Sequence, residues 1–194
     1  MSEEPQVTLA EDIPTLPIAR ISVEDYHRMI EAGALADQSV ELLDGWLVPK
    51  MNHGSPHARV VRGLTELLVP RFVGTELMAQ CQLPITLERS EPEPDLAVVH
   101  RSVAADRHPG LDEIVVAIEV ANSSSRFDLT TKARIYAQAG IPTYLVVDVV
   151  TERVVHHSRP GDEGYELVAV LHDGDAVDVA GLALTAEQLL VRDT

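Results

Sequence analysis

Cysteine, lysine and long apolar runs are all scarce in this sequence of 194 residues. The single cysteine, Cys81, excludes an internal disulfide framework and a cysteine-based zinc cluster, and it is typical of a protein of the reducing cytoplasm. No apolar run approaches the ~20 residues that a membrane-spanning helix needs. The acidic first residues also lack the basic and apolar regions of a signal peptide. We therefore expect a cytoplasmic protein without a membrane segment.

Positive charge is also in short supply. Lysine and arginine number 15 against 31 aspartates and glutamates, so the formal net charge is -16. Proteins bind DNA chiefly by neutralising its phosphates. Any nucleic-acid partner would therefore need a local basic surface or bound cations, and we expect such binding to be weak, salt-sensitive and metal-dependent.

Apolar residues make up 45% of the chain, which is enough for a buried core. Residues 1–19 are polar and lack periodicity, and they predict a loose lead-in. Residues 20–194 show no linker, repeat or low-complexity tract, and their length predicts a single domain.

The first half of that domain predicts two helices and several strands. Ser22 is placed to cap a helix that ends near Gly33, and Ser55 precedes proline at the start of a helix to about Val69. Asp44-Gly45 separates two short apolar runs and predicts a hairpin. The strands predicted here are 40–43, 46–51, 76–81, 84–88 and 96–99.

The second half predicts a strand–helix–strand unit. Residues 114–120 are almost continuously apolar, which is typical of a fully buried central strand. Asp128 is placed to cap a helix that ends at Gly140, and a second apolar strand follows over 144–150. Further strands are predicted at 153–157, 165–171 and 176–179, before a capping box at 185–188.

Two carboxylates interrupt this pattern. Glu119 ends a run of apolar residues in the central strand, where an ionised carboxylate is costly unless it is paired or bound to a cation. Asp95 opens the strand after Pro94. On neighbouring strands, the two side chains would form a hard-oxygen site suited to Mg²⁺ or Mn²⁺. The alternatives are a strand-end glutamate that reaches solvent and a turn aspartate.

Lys132 is one of only two lysines and shares a predicted helical stripe with apolar residues. It either extends past the core to solvent or points at the two carboxylates, where a compact ammonium can stabilise charge on a phosphate. Glu41 opens the predicted hairpin and is either an exposed charge or part of the site. His57 is interpreted as a partly buried structural residue and Asp128 as a helix cap. His156 and His157 are adjacent, so on a strand they face opposite sides.

These residues belong to an ordered set of short segments spanning roughly residues 22–170. The set resembles the Uma family of restriction endonucleases, within the PD-(D/E)XK nuclease superfamily. Its segments are Glu-Leu-Leu-Asp-Gly at 41–45, Ser-Pro-His at 55–57, Pro-Asp-Leu-Ala-Val-Val at 94–99, Ala-Ile-Glu-Val at 117–120, and Asp128, Lys132 and Tyr136 ahead of Ala-Gly-Ile at 139–141 and Tyr-Leu-Val-Val-Asp at 144–148.

The resemblance implies an α/β fold: a restriction-endonuclease-like core with a central mixed β-sheet flanked by helices, plus extra strands. It also implies a divalent-metal site in which Asp95 and Glu119 are the metal-binding pair and Glu41 is an additional acidic residue. The superfamily places a lysine two residues after the second acid, where this chain has Ala121. In Uma-like sequences that lysine comes from the following helix, which corresponds to Lys132.

The sequence thus predicts a Mg²⁺-dependent endonuclease that cleaves nucleic acid through Glu41, Asp95, Glu119 and Lys132. The alternative is a non-catalytic binding or oligomerisation module that retains the nuclease fold, which the acidic charge and Ala121 favour. A Rossmann-type nucleotide binder is disfavoured, since no glycine-rich loop follows a strand. Unpaired sheet edges and the apolar surface near Trp46 lead us to expect a homodimer.

Overall fold

A six-stranded mixed sheet forms the centre of the computed structural model, which describes residues 19–50, 54–122 and 125–192. Its strands lie in chain order: β3 (Leu77–Cys81), β4 (Leu96–His100), β5 (Ile114–Ala121), β6 (Thr143–Asp148), β7 (Arg153–Gly161) and β8 (Gly164–Leu171). Only β5 and β6 pair in parallel. The predicted lead-in lies outside the described residues except for Ala19 and so stays a prediction.

A helical segment joins β5 to β6 and completes the predicted strand–helix–strand unit. It consists of α3 (Ser125–Phe127), a π-helical turn (Asp128–Lys132) and α4 (Ala133–Ala139). Gly140 ends it in the left-handed region at φ 86°, a conformation that glycine adopts without a steric penalty.

The remaining elements flank the sheet. They are α1 (Val23–Glu31), the hairpin β1 (Val40–Leu43) and β2 (Trp46–Pro49), α2 (Ser55–Leu68), the hairpin β9 (Ala176–Val179) and β10 (Leu182–Thr185), and α5 (Ala186–Leu189). Asp44 and Gly45 both have positive φ in the predicted turn of the first hairpin. Among the described residues, no helix is both long and apolar enough to cross a membrane.

The two faces of the sheet bury separate apolar clusters. Val116, Ile118 and Val120 of β5 pack with α2 and α5 on one face, whereas Ala117 and Ala121 pack with α4 on the other. Burial of a large apolar side chain stabilises the fold by about 1.5–3 kcal/mol. The predicted α/β fold, a central mixed sheet flanked by helices, is therefore confirmed.

Three local predictions are wrong. Residues 84–88 form no strand: the N–H groups of Ile85, Thr86 and Leu87 donate to carbonyls of the loops at Pro92, Pro109 and Ser90. Their alternation of apolar side chains instead reflects a loop that buries Ile85 and Leu87.

The other two errors concern helix starts. Gly54, not Ser55, occupies the N-cap of α2, so Ser55 is already helical. Asp128 does not cap its helix either, because the helical segment begins three residues earlier, at Ser125. Both errors arise because side-chain propensity alone does not determine the first helical residue. Strand β10 was not predicted. Strand β2 ends at Pro49, before the described Lys50 and short of its predicted end at Met51, which lies outside the described residues.

Candidate active site

Lys132 joins two of the predicted carboxylates. Its ammonium Nζ lies 2.9 Å from Oε1 of Glu119 and 3.3 Å from Oε1 of Glu41. All three residues are buried, with 7% or less of their surface exposed. Lys132 therefore does not extend to solvent, and the structure brings three of the predicted site residues into contact.

The strand pattern explains why Glu119 faces this way. Ile118 and Val120 point into the cluster beneath α2, so Glu119 projects from the opposite face, toward α4. The π turn carries Lys132 over that face, and one turn later the Tyr136 hydroxyl donates to the same Glu119 oxygen at 2.9 Å. Turns of this kind are rare and occur frequently at functional sites.

Asp95 is held beside Glu119 by the backbone. Its Oδ2 accepts a hydrogen bond of 2.8 Å from the N–H of Val120, the residue that follows Glu119, and lies 2.9 Å from Nε2 of His57. Asp95 and His57 are 4% and 1% exposed. The expectation that His57 is only partly buried is wrong, since helix α2 presses the ring against Asp95.

Both carboxylate oxygens of Glu41 have a partner that orients the side chain. Oε1 contacts Lys132, and Oε2 accepts a 3.3 Å hydrogen bond from the N–H of Glu93. Glu93 is in turn held by Lys50 at 2.5 Å, so both lysines of the chain lie around this acidic region. Glu41 is therefore not an exposed charge on an edge strand, the alternative that the sequence left open.

Burial sets the electrostatics of the site. It raises the pKa of Glu119 to about 8, an effect opposed by Lys132 and reinforced by Asp95, Asp128 and Glu41. For Lys132 burial acts to lower the pKa, but the carboxylates of Glu119, Glu41 and Asp128 outweigh it and raise the pKa. Burial also raises the pKa of Tyr136, which keeps its hydroxyl a donor. Lys132 is therefore a permanent cation, whereas Glu119 keeps a proton at neutral pH unless a further cation offsets its charge.

Asp95 and Glu119 are the residues of the site that could hold a hard cation. Hydrogen bonds among the described residues use Oδ2 of Asp95 and Oε1 of Glu119, and none uses the other oxygen of either carboxylate. Within the described part of the chain, no group of three or more His, Cys, Asp or Glu side chains could hold a metal ion. An ion held here would have these two carboxylates and otherwise water as ligands, an arrangement that Mg²⁺ accepts.

Three further residues considered from sequence have other surroundings. Asp128 is buried within the π turn, close enough to Glu119 to raise its pKa. His156 and His157 lie on β7, away from this cluster, and His157 packs between the rings of Tyr144 and Tyr165. Tyr136 and His57 are contributors that sequence reasoning did not assign to the site, although both lie in the segments that carry the family resemblance.

Comparisons with known proteins agree with this fold. The model of the Uma2 family, described as "Putative restriction endonuclease", matches residues 23–190. A crystal structure of a "putative nuclease" from Anabaena variabilis superposes with a TM-score of 0.64 at 15% identity, covering 80% of this chain and 91% of that chain. At this identity the likeness shows the fold alone. No curated protein matches the sequence.

Proposed function

Because the chain belongs to the Uma2 family of restriction-endonuclease-like proteins, we propose that it is a Mg²⁺- or Mn²⁺-dependent endonuclease that hydrolyses phosphodiester bonds of nucleic acid. The contact that carries the proposal is the Lys132 ammonium, which lies between Glu119 and Glu41 beside the tethered Asp95. A buried lysine among carboxylates has little structural value, because burying ion pairs seldom stabilises a fold.

Each residue has a distinct role in this proposal. Asp95 and Glu119 would hold the metal ion, which supplies a water of lowered pKa and polarises the phosphate. Lys132 stays protonated and donates to the phosphate oxygen on which charge develops. Glu41 and Tyr136 are positioning residues: Glu41 orients the ammonium, and Tyr136 orients the Glu119 carboxylate.

The experiment is single-turnover cleavage of a labelled oligonucleotide with Mn²⁺, combined with thermal unfolding in the same buffer. Wild-type protein should cleave and should melt at a higher temperature with metal than without, by mass action. Lys132→Ala should lose at least about a hundredfold in rate and keep the metal-induced shift. Asp95→Ala should lose both. Lys132→Arg should not rescue cleavage, since a planar guanidinium cannot reproduce a compact ammonium.

One observation favours the rival function, a non-catalytic binding module. Lys132 is already paired with two carboxylates, and the chain carries a net charge of -16. If wild type and Lys132→Ala show the same trace activity, that activity is contamination. If millimolar Mg²⁺ and Mn²⁺ both leave the melting temperature unchanged, the carboxylates do not bind metal. Either result replaces the nuclease with the binding module.

We also propose that the protein acts as a homodimer in the cytoplasm. Strand β8 ends the sheet and, among the residues that the structure describes, pairs with β7 alone. Three of its apolar side chains are about half exposed: Leu167, Val168 and Val170. An open edge of this kind is normally blocked or covered. The free cysteine, Cys81, supports a reducing compartment.

A further inference from the structure

Most basic side chains of the described residues are already engaged. Eight of them form ion pairs with carboxylates: Arg20, Arg28, Lys50, Arg89, Arg107, Lys132, Arg153 and Arg192. Arg59, Arg71 and Arg101 donate to backbone carbonyls. Within the described part of the chain, the arginines with neither kind of contact are Arg62, Arg126, Arg134 and Arg159. An acidic protein that binds a polyanion must draw on such unpaired cations.

Arg62 shares a cleft with a residue that contacts the candidate active site. It lines a cleft of about 460 Å³ between helix α2 and the end of strand β3. His57, whose ring contacts Asp95, lines the same cleft. A group bound beside Arg62 would therefore lie on the far side of the His57 ring from Asp95, the carboxylate proposed to hold the metal.

The opposite wall of the cleft is polar and strained. Gln82 lies there with φ at 48°, an uncommon conformation for a residue other than glycine, and its N–H donates to the carbonyl of Asp95 at 3.0 Å. Thr65 adds a hydroxyl and Glu66 a negative charge on the helix side. The cleft thus offers one cation, one anion and several neutral polar groups beside the apolar side chains of Ala58 and Val61.

We infer that this cleft binds the nucleotide adjacent to the scissile bond, with the Arg62 guanidinium on its phosphate and Gln82 against its sugar or base. The inference rests on the proposed nuclease function and names the path of the substrate strand. Arginine suits the role because its planar fork matches two phosphate oxygens. Glu66 opposes the phosphate and keeps the affinity low.

The test measures binding by fluorescence anisotropy of a labelled single-stranded 20-mer at several KCl concentrations. Ca²⁺, a hard cation with oxygen ligands, replaces Mn²⁺, and the oligonucleotide is checked for integrity afterwards. Arg62→Ala should weaken binding about tenfold, as expected for a lost charge-assisted contact. It should also reduce the slope of log K against log salt by about 0.7, the value for one phosphate contact on a single strand.

Two variants make the test specific. Glu66→Gln should strengthen binding, because it removes the opposing charge, whereas Arg159→Ala removes an equally unpaired, exposed arginine outside the cleft and should change nothing. Thermal melts confirm that each variant is folded. If Arg62→Ala binds as wild type does, or loses no more than Arg159→Ala, the cleft assignment is overturned while the nuclease proposal stands. Absence of binding by wild type at every salt concentration overturns both.

Discussion

Glu119 sits in an environment that opposes its own charge. The carboxylate is buried on the sheet, and its pKa of about 8 persists despite the ammonium of Lys132 at 2.9 Å. A rise from the ordinary value of 4.5 corresponds to roughly 5 kcal/mol between the two protonation states. A fold that tolerates such a group gives up stability at neutral pH, and a bound cation would recover it.

The raised pKa of Glu119 predicts how the free energy of unfolding depends on pH in the presence of a chelator. Between about pH 4.5 and 8 the folded protein retains a proton on Glu119 that the unfolded chain has lost, so stability falls as pH rises through this window. In Glu119→Gln that contribution disappears. From pH 5 to pH 8 the free energy of unfolding of Glu119→Gln should therefore rise relative to that of wild type. Urea denaturation at each pH measures the difference.

The control is Glu166→Gln, which changes an exposed glutamate on β8 and should leave the pH profile of wild type unaltered. A difference between Glu119→Gln and wild type that stays constant from pH 5 to pH 8 would contradict the assigned environment of Glu119.

Tyr136 tests the orientation of the same carboxylate. Tyr136→Phe deletes one hydroxyl donor and keeps the ring, which packs edge-on against Tyr144 with centroids 4.8 Å apart. We expect cleavage to slow by about tenfold and stability to fall by only about 1–2 kcal/mol, the usual range for a lost buried hydrogen bond. Single-turnover rates and urea denaturation measure the two effects.

Tyr165→Phe is the matched comparison, because its hydroxyl donates to the carbonyl of Ile141 outside the site. It should lose similar stability and no activity. Equal losses of activity in the two variants would assign Tyr136 a purely structural role.

Among single residues, the sequence revealed the charged side chains that stand at otherwise apolar positions. Glu119 in an apolar strand and Lys132 on an apolar stripe are such side chains, and both stand out in the order of the amino acids alone. His57 and Tyr136 do not, because a histidine or tyrosine on a buried helical face is ordinary. Their importance arises from the neighbours Asp95 and Glu119, which lie 38 and 17 residues away in the chain.

At the scale of elements, β5 determines where the chemistry lies. One side of the strand builds the core under α2, and the other presents Glu119 to the helical segment that follows. The free energy of unfolding should therefore depend on the size of the side chains on the core side of β5. Val116→Ala should cost about 2–3 kcal/mol, the sum of lost apolar burial and a residual cavity.

Val150→Ala makes the same chemical change at a side chain that is 64% exposed, in the turn after β6, and should cost less than about 0.5 kcal/mol. Thermal or urea unfolding of the two variants gives the comparison. Similar values for both would show that β5 is not the centre of the core.

Strands made of a continuous apolar run were predictable from sequence. Extended segments whose backbone bonds to loops were not. Residues 114–120 and 144–148 have the composition of buried parallel strands and are β5 and β6. Residues 84–88 have the alternation of a strand, yet their hydrogen bonds go to three separate loop carbonyls. Nothing in the sequence of these five residues distinguishes them from a strand. The difference lies in whether their backbone N–H groups bond to a neighbouring strand or to loop carbonyls.

For the whole molecule, the open edge of β8 predicts the assembly. Antiparallel pairing of β8 with a second copy would satisfy its unpaired backbone groups and cover Val168 and Val170 by a two-fold operation. Light scattering at micromolar concentration should give twice the mass of 21.1 kDa. Val168→Lys should shift the protein toward monomer, because the charge must be desolvated at the edge.

Glu166→Lys changes the charge of the same strand by a larger amount at a position that is already polar, and it serves as the comparison. A monomer mass for wild-type protein, or an undisturbed dimer in Val168→Lys, would refute the edge pairing.

The buried site is assembled from side chains that begin at position 41 and end at position 136, carried by a hairpin, two helical segments and two strands. No short stretch of the chain contains the acids together with Lys132. If the chain is the proposed nuclease, a polypeptide still emerging from the ribosome, or one that has melted, therefore has no means of cutting nucleic acid. The hazard that comes with a nuclease is confined to the fully folded state, and activity should vanish on heating in step with the loss of tertiary structure.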